Sequence, residues 1–431
     1  MRRKIVRCFA ALLCAVLALA AARPAAGMER WPPAIGVEDG DHLFRSTGAG
    51  DDLDEAAEAS ASAPGSGQDD PVKLTSPSAV LMEALSGRVI YEKNAHERRN
   101  PASVTKIMTL IVAFDALRDG KVKLTDQVTI SEEAKRQPGT TIFADVGETF
   151  TLEELLLSVA VGSANDAAVA VAEHVAGSAD AFAVLMNRKA KELGMNNTHF
   201  VNPTGLSAEG HLTTAYDIAL MSRYAVLNYP ELVKLTSIYG AELNVPWRRN
   251  GPKFQLWNNN KLLTWYKGAD GLKTGWTQAA GYCLAATAMQ DGTRMIAVVM
   301  GSESAKQRNI EVARLLDYGF ANYTAVEIAA AGQKFGPVRV ARGAVPAIEP
   351  VPRSAFGVSV PKGSQDKVKW EVKLPRQVAA PVTQGQVIGQ IVATLGDEEV
   401  ARMDLVSPVD VGKANLWQSV VHTVRGIFSF D

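Results

Sequence analysis

From Val104 to Leu117 apolar residues fall on nearly every side of a helical wheel, among them Ile107, Met108, Leu110, Ile111, Val112 and Phe114. That pattern predicts a helix buried in the centre of a domain rather than one lying on a surface. Asn100 and Pro101 stand ahead of it as cap and first-turn proline, and Gly120 is placed as its C-cap. Upstream, Ser78–Glu83 and Arg88–Tyr91 flank Ser86-Gly87 and read as a β-hairpin leading into the helix. Thr151-Leu-Glu-Glu154 is a capping-box pattern opening a helix through Leu155, Leu156, Leu157 and Val159. This helix ends at Val161-Gly162, and a second runs from near Asp166 to about Val175. Farther on, Ala280–Met289 and Arg294–Met300, joined by Asp291-Gly292, predict another hairpin, with Asp270–Trp276 on an adjoining strand. After Tyr323 the pattern changes. Four short runs (Pro337–Ala341, Phe356–Val360, Lys367–Lys373 and Val387–Val392) lie between Gly- and Pro-rich turns and predict a small antiparallel β domain, a β-sandwich. The tail from Ala414 to Phe430 returns to helical period, with Leu416, Trp417, Val420, Val421, Val424, Ile427 and Phe428 on one face.

Two stretches fall outside this pattern. Met1–Ala22 has the three parts of an export signal: basic Arg2, Arg3, Lys4 and Arg7, an apolar run from Cys8 to Leu19, and small residues at Ala20–Ala22. The run is short for a membrane span, so removal is expected there or near Ala25-Ala-Gly27, giving a signal segment of 1–27. Residues 28–73 carry Asp51-Asp-Leu-Asp-Glu55 and an Ala/Ser/Gly/Pro run with no periodic apolar face, which predicts a flexible acidic spacer. Loss of the signal removes Cys8 and Cys14 and leaves Cys283 alone. A disulfide is thereby excluded, and the exported chain must be held by its core. The 47% hydrophobic content and formal net charge of −1 are those of an ordinary globular protein and argue against nucleic acid as a partner.

Candidate chemistry sits at three places. Ser103 and Lys106, one turn apart at the start of the buried helix, point a hydroxyl and an amine into one space. A lysine acts as base toward serine only when neutral, which burial and a nearby cation both favour. Ser364 and Lys367 repeat the spacing in a region with no other sign of chemistry, so the pattern alone also fits a plain helix start. Ser163 and Asn165, in the corner between two helices, can relay a proton and hold a carbonyl, or simply cap the second helix. Lys273, Thr274, Gly275 and Trp276 are the third place. A lysine there can hold a carboxylate and keep Lys106 unprotonated, while Gly275 lets a substrate backbone approach the strand edge. The alternative is a turn with an exposed lysine.

Taken in order, Ser103/Lys106, Ser163-Ala-Asn165 and Lys273-Thr-Gly275 resemble the three signatures of the penicillin-recognising serine enzymes. Asn100–Thr109, Ser163–Ala168, Phe200-Val-Asn-Pro-Thr-Gly-Leu206, Thr213–Asp217 and Asp317–Phe320 narrow the resemblance to the D-alanyl-D-alanine carboxypeptidases of the low-molecular-mass penicillin-binding proteins. It implies an α/β (α+β) chain in which a β-lactamase/transpeptidase-like domain spans 74–323, with an antiparallel sheet flanked by a helical cluster. A small all-β sandwich stalk (324–412) and a C-terminal amphipathic membrane-anchoring helix (413–431) follow. It further implies that Ser103 is acylated by the penultimate D-alanine carbonyl of a peptidoglycan stem peptide, with Lys106 as base. Ser163 would pass the proton to the leaving D-alanine and Asn165 would position the substrate amide. Lys273, Thr274 and Arg308 would surround the terminal carboxylate, and the N–H groups of Ser103 and Trp276 would form the oxyanion hole. β-Lactams are the implied inhibitors, and the outer face of the bacterial cytoplasmic membrane the implied location. Family members often have histidine or tyrosine where Trp276 stands and glycine where Ala164 stands.

Two other readings share these residues. A class A-like β-lactamase needs a glutamate to activate the deacylating water, and Glu192-Leu-Gly-Met-Asn196 has that spacing, although Gly194 there reads as a helix cap. A catalytically silent wall-binding scaffold needs the pocket but no turnover. No metal or cofactor is expected, since the six histidines are scattered and no His-Glu-x-x-His occurs. The tail suits a membrane surface, with a helix packed on the β domain or a homodimer contact as alternatives.

Overall fold

In the computed structural model, which describes residues 70–245 and 253–414, the apolar runs on either side of the central helix meet in one five-stranded sheet. Its strands are β1 (Ser78–Glu83), β2 (Val89–Lys93), β3 (Ala269–Thr277), β4 (Gly281–Gln290) and β5 (Thr293–Ser302). They are antiparallel throughout, in the order β2-β1-β5-β4-β3. The amino-terminal hairpin is thus joined to the carboxy-terminal meander through the β1/β5 pair. β1 is buried along its whole length and β4 and β5 nearly so, because both faces of the sheet are covered, and such strands show unbroken apolar runs rather than alternation. Positive φ at both Asp291 and Gly292 makes the β4/β5 turn the tight kind that matches strand twist.

Among the described residues the α-helices of six or more residues are α1 (Lys106–Arg118), α2 (Leu152–Leu157), α3 (Asn165–Ala176), α4 (Ala179–Glu192), α5 (Ala215–Asn228), α6 (Pro230–Thr236) and α7 (Ala305–Asn322). α7 covers one face of the sheet, packing Val312, Leu315 and Leu316 against Leu81, Leu284, Ala286, Met295, Ala297 and Val299. α5 lies against β1 and β5. α1 sits among α3, α4 and α5 and is buried without a break from Lys106 to Phe114, as its all-round apolar pattern predicts. The Thr151 capping box is present in full. Gly120, with φ of 69°, lies just past the end of α1 and donates to Leu117 O at 3.0 Å.

The entry to α1 differs from the sequence reading. Asn100 does not cap it: its Nδ2 donates to His211 O at 3.3 Å. A 3-10 turn, Ala102–Thr105, precedes α1 with Pro101 at its start and no side-chain cap. Three residues per turn bring side chains three apart into register, which superposes Ser103 and Lys106.

Asp70–Lys73, grouped with the spacer on composition, lie on the folded body. Val72 is buried in the α7-side core, and the Asp70 carboxylate accepts from Val72 N and Leu74 N at 3.0 Å each. Beyond α7 the chain passes directly into strand Tyr323–Ala329. Two small apolar cores follow, one around Phe356, Val358, Ile391 and Leu405 and one around Val338, Val340, Ile348 and Val411. Pairing there is antiparallel except between Val338–Ala341 and Gln377–Ala379, which run parallel, a correction to the all-antiparallel expectation. No helix among the described residues is long and apolar enough by itself to cross a membrane. The expected signal segment, the spacer to residue 69 and the tail helix from residue 415 lie outside the described residues.

Candidate active site

Lys106 is fully buried at the first position of α1. Its Nζ lies 3.0 Å from Ser103 Oγ and donates to Asn165 Oδ1 and to the Thr204 carbonyl, each at 2.7 Å. Desolvation holds its pKa well below the ordinary lysine value, and the charge of Lys273 pushes the same way, against a smaller opposing pull from Asp166. The amine is therefore biased toward the neutral form, beside a serine hydroxyl that is partly open to solvent.

The corner between α2 and α3 carries Ser163 and Asn165. α2 runs into a π-helical turn at Ser158–Gly162, and the chain then turns at Ser163, which is left-handed at φ 61° and ψ 25°. Neither residue is the N-cap of α3; Ser163 is instead the C-cap of the π-helical turn. Ala164 holds the N-cap position without a side-chain bond, and Asn165 is the first residue of α3. The amide of Asn165 is oriented by its neighbours: Nδ2 donates to Pro138 O at 2.6 Å, so Oδ1 faces Lys106. One Nδ2–H remains for a substrate carbonyl. Asp166, buried next to it, accepts from Ile142 N and Ala167 N at 3.1 and 2.8 Å and so ties the 138–144 loop to α3.

Lys273, Thr274, Gly275 and Trp276 lie on β3, which among the described residues pairs only with β4 and turns its other edge toward the 3-10 turn. Gly275 lets the strand come close there: a Cβ would sit 3.0 Å from each of Pro101 O, Ser103 N and the Ala102 Cβ, tighter than nine in ten real contacts, so a side chain would push the 3-10 turn away. Lys273 is buried, donates to Thr274 O at 3.1 Å, and has its pKa pushed down to about 7 by burial and then by Arg308. Arg308, on α7, is buried over the Tyr282 ring at 6.0 Å, and its Nη1 donates to Cys283 O at 3.5 Å. Burial pushes its pKa down to about 10. Among the described residues no carboxylate forms an ion pair with Lys106, Lys273 or Arg308. The exposed Trp276 ring packs on Tyr282 at 5.9 Å. Of the nine residues singled out from the sequence, the structure brings Ser103, Lys106, Asn165, Lys273, Gly275 and Arg308 together; Ser163, Thr274 and Trp276 are their neighbours in the chain.

A family model described as D-alanyl-D-alanine carboxypeptidase matches residues 62–304, and one for the penicillin-binding protein 5 C-terminal domain matches residues 323–413. The chain belongs to the D-alanyl-D-alanine carboxypeptidase family. Among its relatives, D-alanyl-D-alanine carboxypeptidase DacF of Bacillus subtilis is 40% identical over 78% of this chain and 86% of that protein. DacA of Haemophilus influenzae is 35% identical over 83% and 92%. The crystal structure of penicillin binding protein 5 from Haemophilus influenzae superposes with a TM-score of 0.66 at 34% identity, covering 80% of this chain and all of that one. Penicillin-Binding Protein D2 from Listeria monocytogenes, solved in an ampicillin-bound form, superposes at 0.52 with 30% identity over 57% of this chain and 98% of its own. The fold is accordingly the β-lactamase/transpeptidase-like one, with a β-rich C-terminal domain.

Against that family background the other matches in the sequence fall away. Ser364 precedes a three-residue 3-10 turn whose Lys367 is exposed. Glu192 ends α4 with its carboxylate on Lys189 at 2.8 Å, its side chain half exposed, and Gly194 beyond it at φ 76°. It is a surface ion pair, not a group aimed at the cleft. Sequence reasoning missed the Thr204 carbonyl, because a backbone acceptor has no residue signature of its own.

The left-handed backbone at Ser163 costs a side chain about 1 kcal/mol that glycine does not bear. Ser163→Gly should therefore leave the melting temperature unchanged or higher, while turnover falls roughly a hundredfold or more as the hydroxyl is lost. Thermal melting alongside a D-alanine release assay measures both; a large loss of stability with activity retained would show that the hydroxyl is structural.

Proposed function

We propose that this carboxypeptidase removes the terminal D-alanine of peptidoglycan stem peptides through an acyl-enzyme on Ser103, with Lys106 as the base. The observation that carries the reading is the 3.0 Å approach of Ser103 Oγ to a fully buried lysine amine that forms no ion pair among the described residues. Ser103 Oγ attacks the penultimate carbonyl as Lys106 takes its proton, and the developing oxyanion is met by the N–H groups of Ser103 and Trp276. The close approach of Gly275 to Ser103 N supports that pairing. Ser163 hands the proton on to the departing amine, which breaks the peptide bond and frees D-alanine. Water then attacks the ester by the same route. The substrate lies along the open edge of β3, with the remaining Asn165 N–H on its amide carbonyl. Its terminal carboxylate supplies the negative charge missing from around Lys273 and Arg308, with Thr274 beside it. β-Lactams acylate the same serine and act as inhibitors.

The export pattern at Met1–Ala22 supports an extracytoplasmic location, and the one-sided apolar pattern of residues 415–430 supports a membrane surface as tether.

A fluorescent penicillin should label the wild type and fail to label Ser103→Ala. A Ser103-independent adduct would overturn the nucleophile, and labelling without D-alanine release from a pentapeptide would favour the silent scaffold. Lys106 acts in its neutral form and the Lys273 charge lowers its pKa, so Lys273→Ala raises that pKa. The acid limb of the acylation profile should then move to higher pH, alongside weaker use of substrates ending in a free carboxylate; an unmoved limb would contradict the coupling. Removing residues 415–431 should release active enzyme from membranes, and retention of the shortened protein would exclude the tail as tether.

A further inference from the structure

The segment Phe200-Val-Asn-Pro-Thr-Gly-Leu206 has no part in the chemistry above, yet its backbone reaches the base. We propose that Asn202 is a positioning residue: by fixing the turn whose Thr204 carbonyl accepts one N–H of Lys106, it aims the lysine lone pair at Ser103. The proposal rests on Lys106 being the base.

A neutral amine has two N–H groups and one lone pair. Lys106 Nζ has three polar neighbours, and two of them can only accept: the Thr204 carbonyl and Asn165 Oδ1, the latter because Asn165 Nδ2 is committed to Pro138 O. Those two acceptors take both N–H groups. The lone pair is left for the third neighbour, Ser103 Oγ, which alone carries a hydrogen to give up. If the Thr204 carbonyl moved away, the amine would be free to rotate and donate to Ser103 Oγ, and the proton could not be collected.

The carbonyl is held by Asn202. Its Oδ1 accepts from Thr204 N, Thr204 Oγ1 and Gly205 N at 3.1, 2.9 and 2.8 Å, and its Nδ2 donates to Leu206 O at 2.9 Å. Gly205, at φ 83°, presses the turn onto the start of the 3-10 turn so tightly that a Cβ would lie 1.9 Å from Ala102 O. Outer ties lock the segment to the surrounding helices. Asn187 on α4 brackets Phe200, accepting from its N and donating to its O at 2.8 and 2.7 Å. Thr109 Oγ1 donates to Pro203 O at 2.6 Å. Val201 N donates to His211 Nδ1 at 3.1 Å, so the ring proton is on Nε2 and is donated to Thr105 Oγ1 at 2.9 Å. Burial pushes the His211 pKa down to about 4, which keeps that brace neutral. The charged groups that face Lys106 are Lys273 from β3 and Asp166 from α3. The Asn202 turn contributes dipoles only, so Asn202→Ala changes no charge near the base.

The test is the pre-steady-state rate of acylation by a fluorescent penicillin across pH, expressed per site that is labelled at completion so that unfolded protein does not count. Asn202→Ala should lower the high-pH plateau at least roughly tenfold. It should also move the acid limb to lower pH, because a charge-assisted acceptor of the ammonium form is lost. Asn202→Asp, which keeps the acceptor oxygens but loses the bond to Leu206 O and adds a negative charge, should hold the plateau within about threefold of wild type while its acid limb moves to higher pH. Should Asn202→Ala not fold, Thr204→Val, which removes one of the three bonds to Asn202, should move plateau and limb the same way by a smaller factor. A plateau within twofold of wild type overturns the proposal, as does an equal loss in the Ala and Asp variants with the limb unmoved. Lys106→Ala separates the two levels: full labelling of that variant overturns the base itself, whereas loss of labelling there with normal acylation in Asn202→Ala overturns only the positioning role.

Discussion

A fully buried lysine that forms no ion pair among the described residues, its nearest carboxylate being spent on backbone N–H groups, is the constraint on which the structure depends. Removing an ammonium from water is unfavourable by several kcal/mol unless an opposite charge or a shift to the neutral form offsets it, and around Lys106 the fold provides the second remedy. The other features of the cleft follow from it. Two carbonyl-type acceptors satisfy the amine without charging it, and a second buried cation on β3 makes protonation harder still. The 3-10 turn then brings the serine into line. Ala102 and Ser163 both adopt left-handed backbone without being glycine, so the segments that deliver the two hydroxyls each carry local backbone strain.

Three kinds of scaffold meet here, each suited to what it holds. The helix start fixes the Ser103 hydroxyl and the Lys106 amine to each other within one turn. The helix–helix corner, stiffened by Asn165 and Asp166 reaching back to the 138–144 loop, places a second hydroxyl that belongs to neither regular element. The edge strand offers unpaired backbone along its free side, which is where an extended peptide can add itself to a sheet. The middle of β3 is buried, from Gly271 to Gly275, while its edge opposite β4 pairs with no other strand among the described residues.

Much of this was legible in the sequence because it rests on local chemistry. The all-round apolar helix, the Thr151 capping box and the Asp291-Gly292 turn depend on neighbours in the chain, and each stands where the pattern put it. The three motifs of the cleft were legible as an ordered set, although no one of them distinguishes Ser103/Lys106 from the exposed Ser364/Lys367 match. What the sequence did not disclose is tertiary. Asn100 is an acceptable cap by residue type, but its amide is drawn off to the His211 carbonyl by a loop more than a hundred positions downstream. The parallel pairing of Val338–Ala341 with Gln377–Ala379 leaves no trace in strand composition. The Thr204 carbonyl was hidden for the same reason as any backbone group, since only its Asn202 holder has a side chain to read.

The last helix of the catalytic half ends at Asn322 and the first strand of the β-rich half begins at Tyr323. No connecting residues intervene, and Arg88 fastens the same junction from the other side, with its guanidinium over the Tyr323 ring and a hydrogen bond to Ser359 O. The β-rich part thus follows the catalytic part with no linker between them, and the Arg88 contacts join the two a second time, so a load on one part is passed to the other through bonded chain and side chain alike.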